Sequence, residues 1–152
     1  MAAAKYDKYL VKVPIREVGA GVNVTGRNWP TLTYMSNELV PGCNVYIEFG
    51  WIWDKPEPNL LALGGHSHDY DEVVLHIGSD PHNPEYLGAV IEGYTGGEKH
   101  ITDTTSALYI PKGVTHGPVT WTKVERPHIQ MSIVIGTGDF KEAMPGGEDL
   151  SH

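Results

Sequence analysis

Gly65-His66-Ser67-His68-Asp69-Tyr70-Asp71-Glu72 is the stretch whose reading decides the fold of this chain. In an extended segment, side chains two residues apart point to the same face. His66 and His68 therefore present two imidazoles to one point. A tight turn over Asp69–Asp71 lets Glu72 start a new strand and reach the same point. Downstream, Pro111-Lys112-Gly113-Val114-Thr115-His116 supplies a Pro-x-Gly turn that ends one strand, and His116 opens the next. Three imidazoles and one carboxylate make a site for a divalent first-row metal. A His-x-His pair alone is weak evidence for metal. The Glu four residues on and the distant Pro-x-Gly-x-x-His are what strengthen it.

Outward from these motifs the chain reads as short β-rich runs. They are Thr31–Tyr34, Val45–Phe49, Glu72–Ile77, Leu87–Ile91, Lys99–Ile101, Ala107–Ile110, Val119–Trp121 and Ile129–Ile135. Turn signals such as Pro41-Gly42, Gly64-Gly65, Ser79-Asp80-Pro81, Gly96-Gly97 and Gly117-Pro118 separate them. No segment keeps the three-and-four spacing of a long amphipathic helix. Many short strands with frequent turns predict an all-β sandwich or barrel. Residues 1–25 are expected to form an arm or an edge strand, 54–59 a Pro-rich loop, and 139–152 a tail with a short helix. No repeat or interdomain linker is visible, so 1–152 reads as one domain.

Composition narrows the function classes. The chain has 152 residues, 18 glycines, 11 prolines and a formal net charge of −8. Its only arginines are Arg16, Arg27 and Arg126, and no Lys/Arg cluster exists. Nucleic acid and anionic membrane surfaces are therefore not expected as partners. One cysteine, Cys43, allows no internal disulfide. No apolar run has the length of a membrane span or signal peptide. The expectation is a cytoplasmic protein.

His66-x-His68-x3-Glu72 and Pro111-x-Gly113-x-x-His116 together resemble the two motifs of the cupin superfamily. The resemblance covers about residues 40–136. It implies a double-stranded β-helix, a jelly-roll barrel, with His66, His68, Glu72 and His116 in the family's metal-ligand positions. Leu60, Thr105 and Thr120 stand where the pattern carries Gly, Gly and Asn, and Gly78 comes one residue early. With Gly78-Ser79-Asp80-Pro81, the first motif also resembles a subgroup of small, uncharacterised cupins. The resemblance and the aromatics of Asn28–Tyr34 imply a homodimer with the N-terminal segment at its interface.

Three further residues are candidates for moving protons. His76 alternates onto the face of Glu72 and reads as either an acid/base near the metal or a hydrogen-bonded core histidine. Glu48 interrupts an apolar strand and faces either solvent or the cavity. Tyr94 completes the set. His128 and Gln130 alternate with Ile129, Met131 and Ile133 on the last long strand, and the apolar set is the expected core face. His82 and His100 are expected to be solvated.

Four protein ligands leave two open positions on an octahedral ion. Fe(II) and Mn(II) are favoured, Ni(II) and Co(II) also fit, and Zn(II) would be nearly saturated. Such a centre suits a small, oxygen-rich organic substrate. Two reaction types fit: O2-dependent oxidation, or redox-neutral isomerisation, decarboxylation or elimination with Glu48, His76 or Tyr94 moving a proton. A different class, a non-catalytic binding or sensory barrel with a structural metal, is the alternative.

Overall fold

The computed structural model describes residues 4–16, 22–62 and 64–139. Among them are ten strands, two short 3-10 turns and no α-helix. The strands are β1 (Ile15–Arg16), β2 (Thr25–Arg27), β3 (Leu32–Met35), β4 (Val45–Glu57), β5 (Asp71–Gly78), β6 (Tyr86–Thr95), β7 (Glu98–Thr104), β8 (Ser106–Ile110), β9 (His116–Val124) and β10 (His128–Ile135). They form a seven-stranded antiparallel sheet in the order β1-β3-β4-β10-β5-β8, with β2 also on β4, and a three-stranded sheet β7-β6-β9. The expected edge strand near the N-terminus is β1, paired with β3. The expected C-terminal helix lies outside the described residues from 140 onward.

Ile52, Leu87, Ala89, Ile91 and Trp121 form the buried cluster between the sheets, with Leu61, Val119 and Val124 against it. Complete burial of Ile52 and Leu87 contributes about 1.5–3 kcal/mol each. Trp121 of this cluster packs against His128 and His76.

Two expectations fail here. Strand β4 runs through Glu57, so Asp54–Glu57 is strand rather than loop. Its far end is held by β2, with Thr25 opposite Glu57 and Arg27 opposite Ile52, and the register shifts between them. Pro56, which has no N–H to give a ladder, falls within that irregular stretch. Gly26, at φ +80°, makes the approach possible: a Cβ there would stand 2.7 Å from the Lys55 carbonyl oxygen.

The second failure concerns β10. His128 is fully buried, and its partners Gln130 and Ser132 share that inward face with Glu72, His76 and Glu48 through the paired registers of β5 and β4. Ile129, Met131 and Ile133 point outward instead, beside Trp51, Phe49 and Ile47 of β4 and Ile77, Leu75 and Val73 of β5. The apolar set thus forms an outer sheet face, and the polar set lines the interior. Each member of the polar set finds a partner there: His128 on Trp121 of the facing sheet, and Gln130 and Ser132 on His76 and Glu72 of the adjacent strand β5.

Candidate metal centre

The two motifs are joined by backbone before their side chains meet. His66 and His116 exchange both N–H···O bonds, at 2.9 and 2.8 Å. Gly113 N–H donates to the His68 carbonyl at 2.7 Å, and Lys112 N–H to Asp71 Oδ1 at 2.9 Å. The 111–113 turn is therefore fastened to the His-x-His segment. Strand β9 then carries a bulge: Gly93 faces Val119, whereas Thr95 faces His116. One extra residue restores an inward direction for His116 as well as Val119 and Trp121. Re-aiming a side chain is what a bulge does beside a functional site. Gly117 sits inside it at φ +89°.

The result is a cluster of His66, His68 and His116 with ligand-capable atoms within 4.8 Å of one another. Glu72 joins it: Oε2 lies 3.5 Å from Nε2 of His68 and 3.5 Å from Nε2 of His116. His116 Nδ1–H donates to the Val114 carbonyl at 3.0 Å, which turns the Nε2 lone pair inward. Ser132 donates to Glu72 Oε1 at 2.7 Å and fixes that carboxylate. Tyr70 stacks on His68, ring centroids 4.6 Å apart.

The donor set fits a cation. Glu72 Oε2 and His116 Nε2 are buried, and neither has an aligned hydrogen-bond partner. Two lone-pair-bearing atoms facing each other repel unless a proton or a metal lies between them. Donor atoms on one metal at about 2.1 Å are themselves roughly 3–3.5 Å apart, close to the spacing here. Burial lowers His66 and takes His68 to about 4, so both imidazoles are neutral and able to donate. For His116, burial pulls downward but the Glu72 carboxylate outweighs it and raises the imidazole. For Glu72, burial pushes upward but His116 and Ser132 outweigh it and hold the carboxylate low. A metal would displace the proton this pair otherwise shares.

The structure separates the other candidates. Glu48 faces inward and is buried, accepting from Thr31 Oγ1 at 2.7 Å and from the Tyr46 hydroxyl at 3.2 Å. Burial raises its pKa above the ordinary glutamate value despite those bonds. His76 also faces inward, and the Gln130 amide lies 3.3 Å from its Nε2. Burial drives His76 to about 4, so it is neutral. Tyr94 does not join them. Alternation from Ile91 and Gly93, both inward, puts it on the outer face with Glu92, which pairs with Lys99 at 3.2 Å. His100, expected to be solvated, is half-buried: it packs against Gly93 and lies 3.1 Å from Thr95 Oγ1.

Sequence reasoning passed over Arg27, Ser132 and the pair Trp121–His128, in which the indole N–H donates to His128 Nε2 at 3.0 Å. Their only signal is polarity at alternate positions of β10, and a lone Arg between Gly26 and Asn28. An open surface depression of about 420 Å³, lined by Asp7, Leu10, Val11, Lys12, Val13 and Leu39, shares no residue with the cluster.

No protein-family model matches the chain, and no curated protein sequence matches it. Solved structures do resemble it. Oxalate oxidase in complex with the substrate analogue glycolate aligns over 91% of this chain and 64% of that one, at 12% identity and a TM-score of 0.56. A second oxalate oxidase structure gives 0.55 over the same shares at 12% identity. A cupin-2 domain from Rhodospirillum rubrum aligns over 83% of this chain and 70% of its own, at 8% identity and 0.47. The chain spans less than two thirds of the oxalate oxidase chains it matches. Strand order and this likeness define the class: the chain has the cupin fold, a double-stranded β-helix barrel. Within it, three imidazoles converge so that they can hold a metal ion.

Proposed function

We propose that this chain is a mononuclear divalent-metal cupin enzyme that carries out redox-neutral chemistry on a small, oxygen-rich organic molecule. His66, His68, Glu72 and His116 are the ligands in this reading, and Fe(II) or Mn(II) the favoured ion. When bound, the metal supplies a Lewis acid that orients the substrate's oxygens and withdraws charge as it develops.

The carrying observation is Glu48. It is a buried carboxyl on the same inner face as Ser132, close enough to Glu72 for the two charges to repel. Thr31 and Tyr46 hold it in place, and burial favours its protonated form. That is the condition of a general acid or of a base that returns a proton. Oxidation by O2 needs no such group; isomerisation, decarboxylation or elimination does. His76, neutral and tied to Gln130, orients the wall beside it. The oxalate oxidase compared above was studied with glycolate, a small hydroxy acid of the class proposed here.

A homodimer is part of this reading, with the outer sheet face as its interface in place of the N-terminal segment expected from the sequence. Trp51 is 39% and Tyr109 54% exposed on that face, beside Ile129, Met131 and Ile133. Cytoplasmic residence is part of it too, supported by the single free Cys43. The test is a screen of metal-restored protein against hydroxy acids, keto acids and hydroxy-ketones, with and without oxygen. Turnover that is equal in both atmospheres and lost in Glu48→Gln is expected. Turnover only with O2 uptake, unaffected by that variant, would replace this reading with oxidation.

A further inference from the structure

Arg27 lies inside the barrel, 5% exposed. It stands in register with Ile52, and Nη2 lies 3.9 Å from where a Cβ on Gly50 would be. The guanidinium thus lies beside Gly50, at van der Waals distance from that position. Two indoles flank it: Cζ is 5.2 Å from the Trp29 ring centroid and 5.9 Å from that of Trp121. Nε–H donates to the Asn28 carbonyl at 3.3 Å. No carboxylate among the described residues makes an ion pair with it. Glu48 acts on it through space, and burial itself pushes Glu48 toward neutrality. Burial lowers Arg27 to about 10, so it stays charged at neutral pH.

A buried cation in contact with no carboxylate is disfavoured, and the indole faces and the more distant Glu48 offset only part of that. The other titratable groups near it, His76 and His128, are neutral through burial and supply no anion. Gly50 shares its row with Gln130 and His76; the next row holds Ser132 and Glu48, and Ser132 grips Glu72. Two residues along a strand span about 7 Å. Glu72 itself pairs with Val134, two rows from Gly50, so Arg27 and the histidine cluster face one interior on the order of 14 Å apart along the strands.

We propose that Arg27 is a carboxylate-binding site within the barrel, its Nη donors gripping the acid group of a small organic acid. Joined to the proposed function, on which this part rests, the substrate is an organic acid with its carboxylate on Arg27 and a second oxygen group turned to His66, His68 and His116. A guanidinium fork matches a planar carboxylate. Phosphate would want a second cation, and the groups beside Arg27 offer none.

Trp29 and Trp121 make the site observable by tryptophan emission. The full chain, metal-loaded, is titrated with acetate, lactate, succinate, acetamide and inorganic phosphate. Saturable changes with the carboxylates and none with acetamide are expected. Arg27→Gln should weaken carboxylate binding at least about tenfold. Arg27→Lys, which keeps charge but loses the fork, should weaken it several-fold and serves if the first variant does not fold. His68→Ala should keep the carboxylate response while losing metal, which separates this site from the metal reading. Undiminished binding in both Arg27 variants, acetamide binding as well as acetate, phosphate preferred to every carboxylate, or a response that vanishes with His68→Ala while surviving in Arg27→Gln would each overturn the proposal.

Discussion

Glu72 Oε2 and His116 Nε2 face one another across 3.5 Å, both buried and neither with an aligned hydrogen-bond partner. The two atoms arrive from opposite ends of the chain's chemistry. One opens β5 after the His-x-His segment; the other opens β9 after the Pro-x-Gly turn. Paired backbones bring them this close, and only a shared cation or proton makes the arrangement favourable.

Ser132→Ala tests how that carboxylate is held. Ser132 donates to Glu72 Oε1, so its loss frees the ligand to rotate without removing it. Metal affinity should fall about 10–100-fold with the fold intact. Competition against a chelating dye, with circular dichroism as control, reads both.

Glu48→Gln tests the buried acid. Because Glu48 is raised in the folded state, its stabilising contribution is full below the ordinary value of 4.5 and is lost as pH rises through the raised one. The variant should therefore gain stability relative to the native protein between pH 4 and pH 8, while keeping its metal. Urea midpoints across that range, with metal analysis, make the measurement; a large loss of metal would make Glu48 a ligand.

His76→Gln carries the opposite sign. His76 falls from 6.5 to about 4 on folding, so its contribution is present above 6.5 and is lost as pH falls from there through 4. Over that window the native protein should lose on the order of 3 kcal/mol that the variant keeps. Denaturant unfolding at pH 7, 5.5 and 4.5 should show the variant's flatter curve.

Trp51→Glu tests the outer face. Trp51 pairs with Ile129 in the outward apolar set. Light scattering should give twice the chain mass for the native protein and a single chain mass for the variant. Equal masses would place the interface elsewhere.

The two histidine motifs were legible in the sequence because they are local and fall where strands begin. What was not legible was which face of a strand looks inward. The alternation of β10 separates His128, Gln130 and Ser132 from Ile129, Met131 and Ile133, yet apolar character alone points to the wrong face. Trp121 on β9, His76 and Glu72 on β5 satisfy the polar set, and nothing near β10 in sequence reveals them. The face of Tyr94 was hidden for a similar reason: Gly93, not Tyr94, shares the inward face of Ile91. Arg27 lies on a strand of three residues, too short for a period to show. The bulge that turns His116 inward depends on pairing with β6, which the sequence does not display.

Metal content per chain, measured on protein purified without chelators and resupplied with Fe(II) or Mn(II), bears most directly on the converging ligand set. One equivalent in the native protein, falling at least about tenfold in His68→Ala and in His116→Ala, is the expected result. Undiminished stoichiometric metal in both variants, or none in the native protein after resupply, would contradict it.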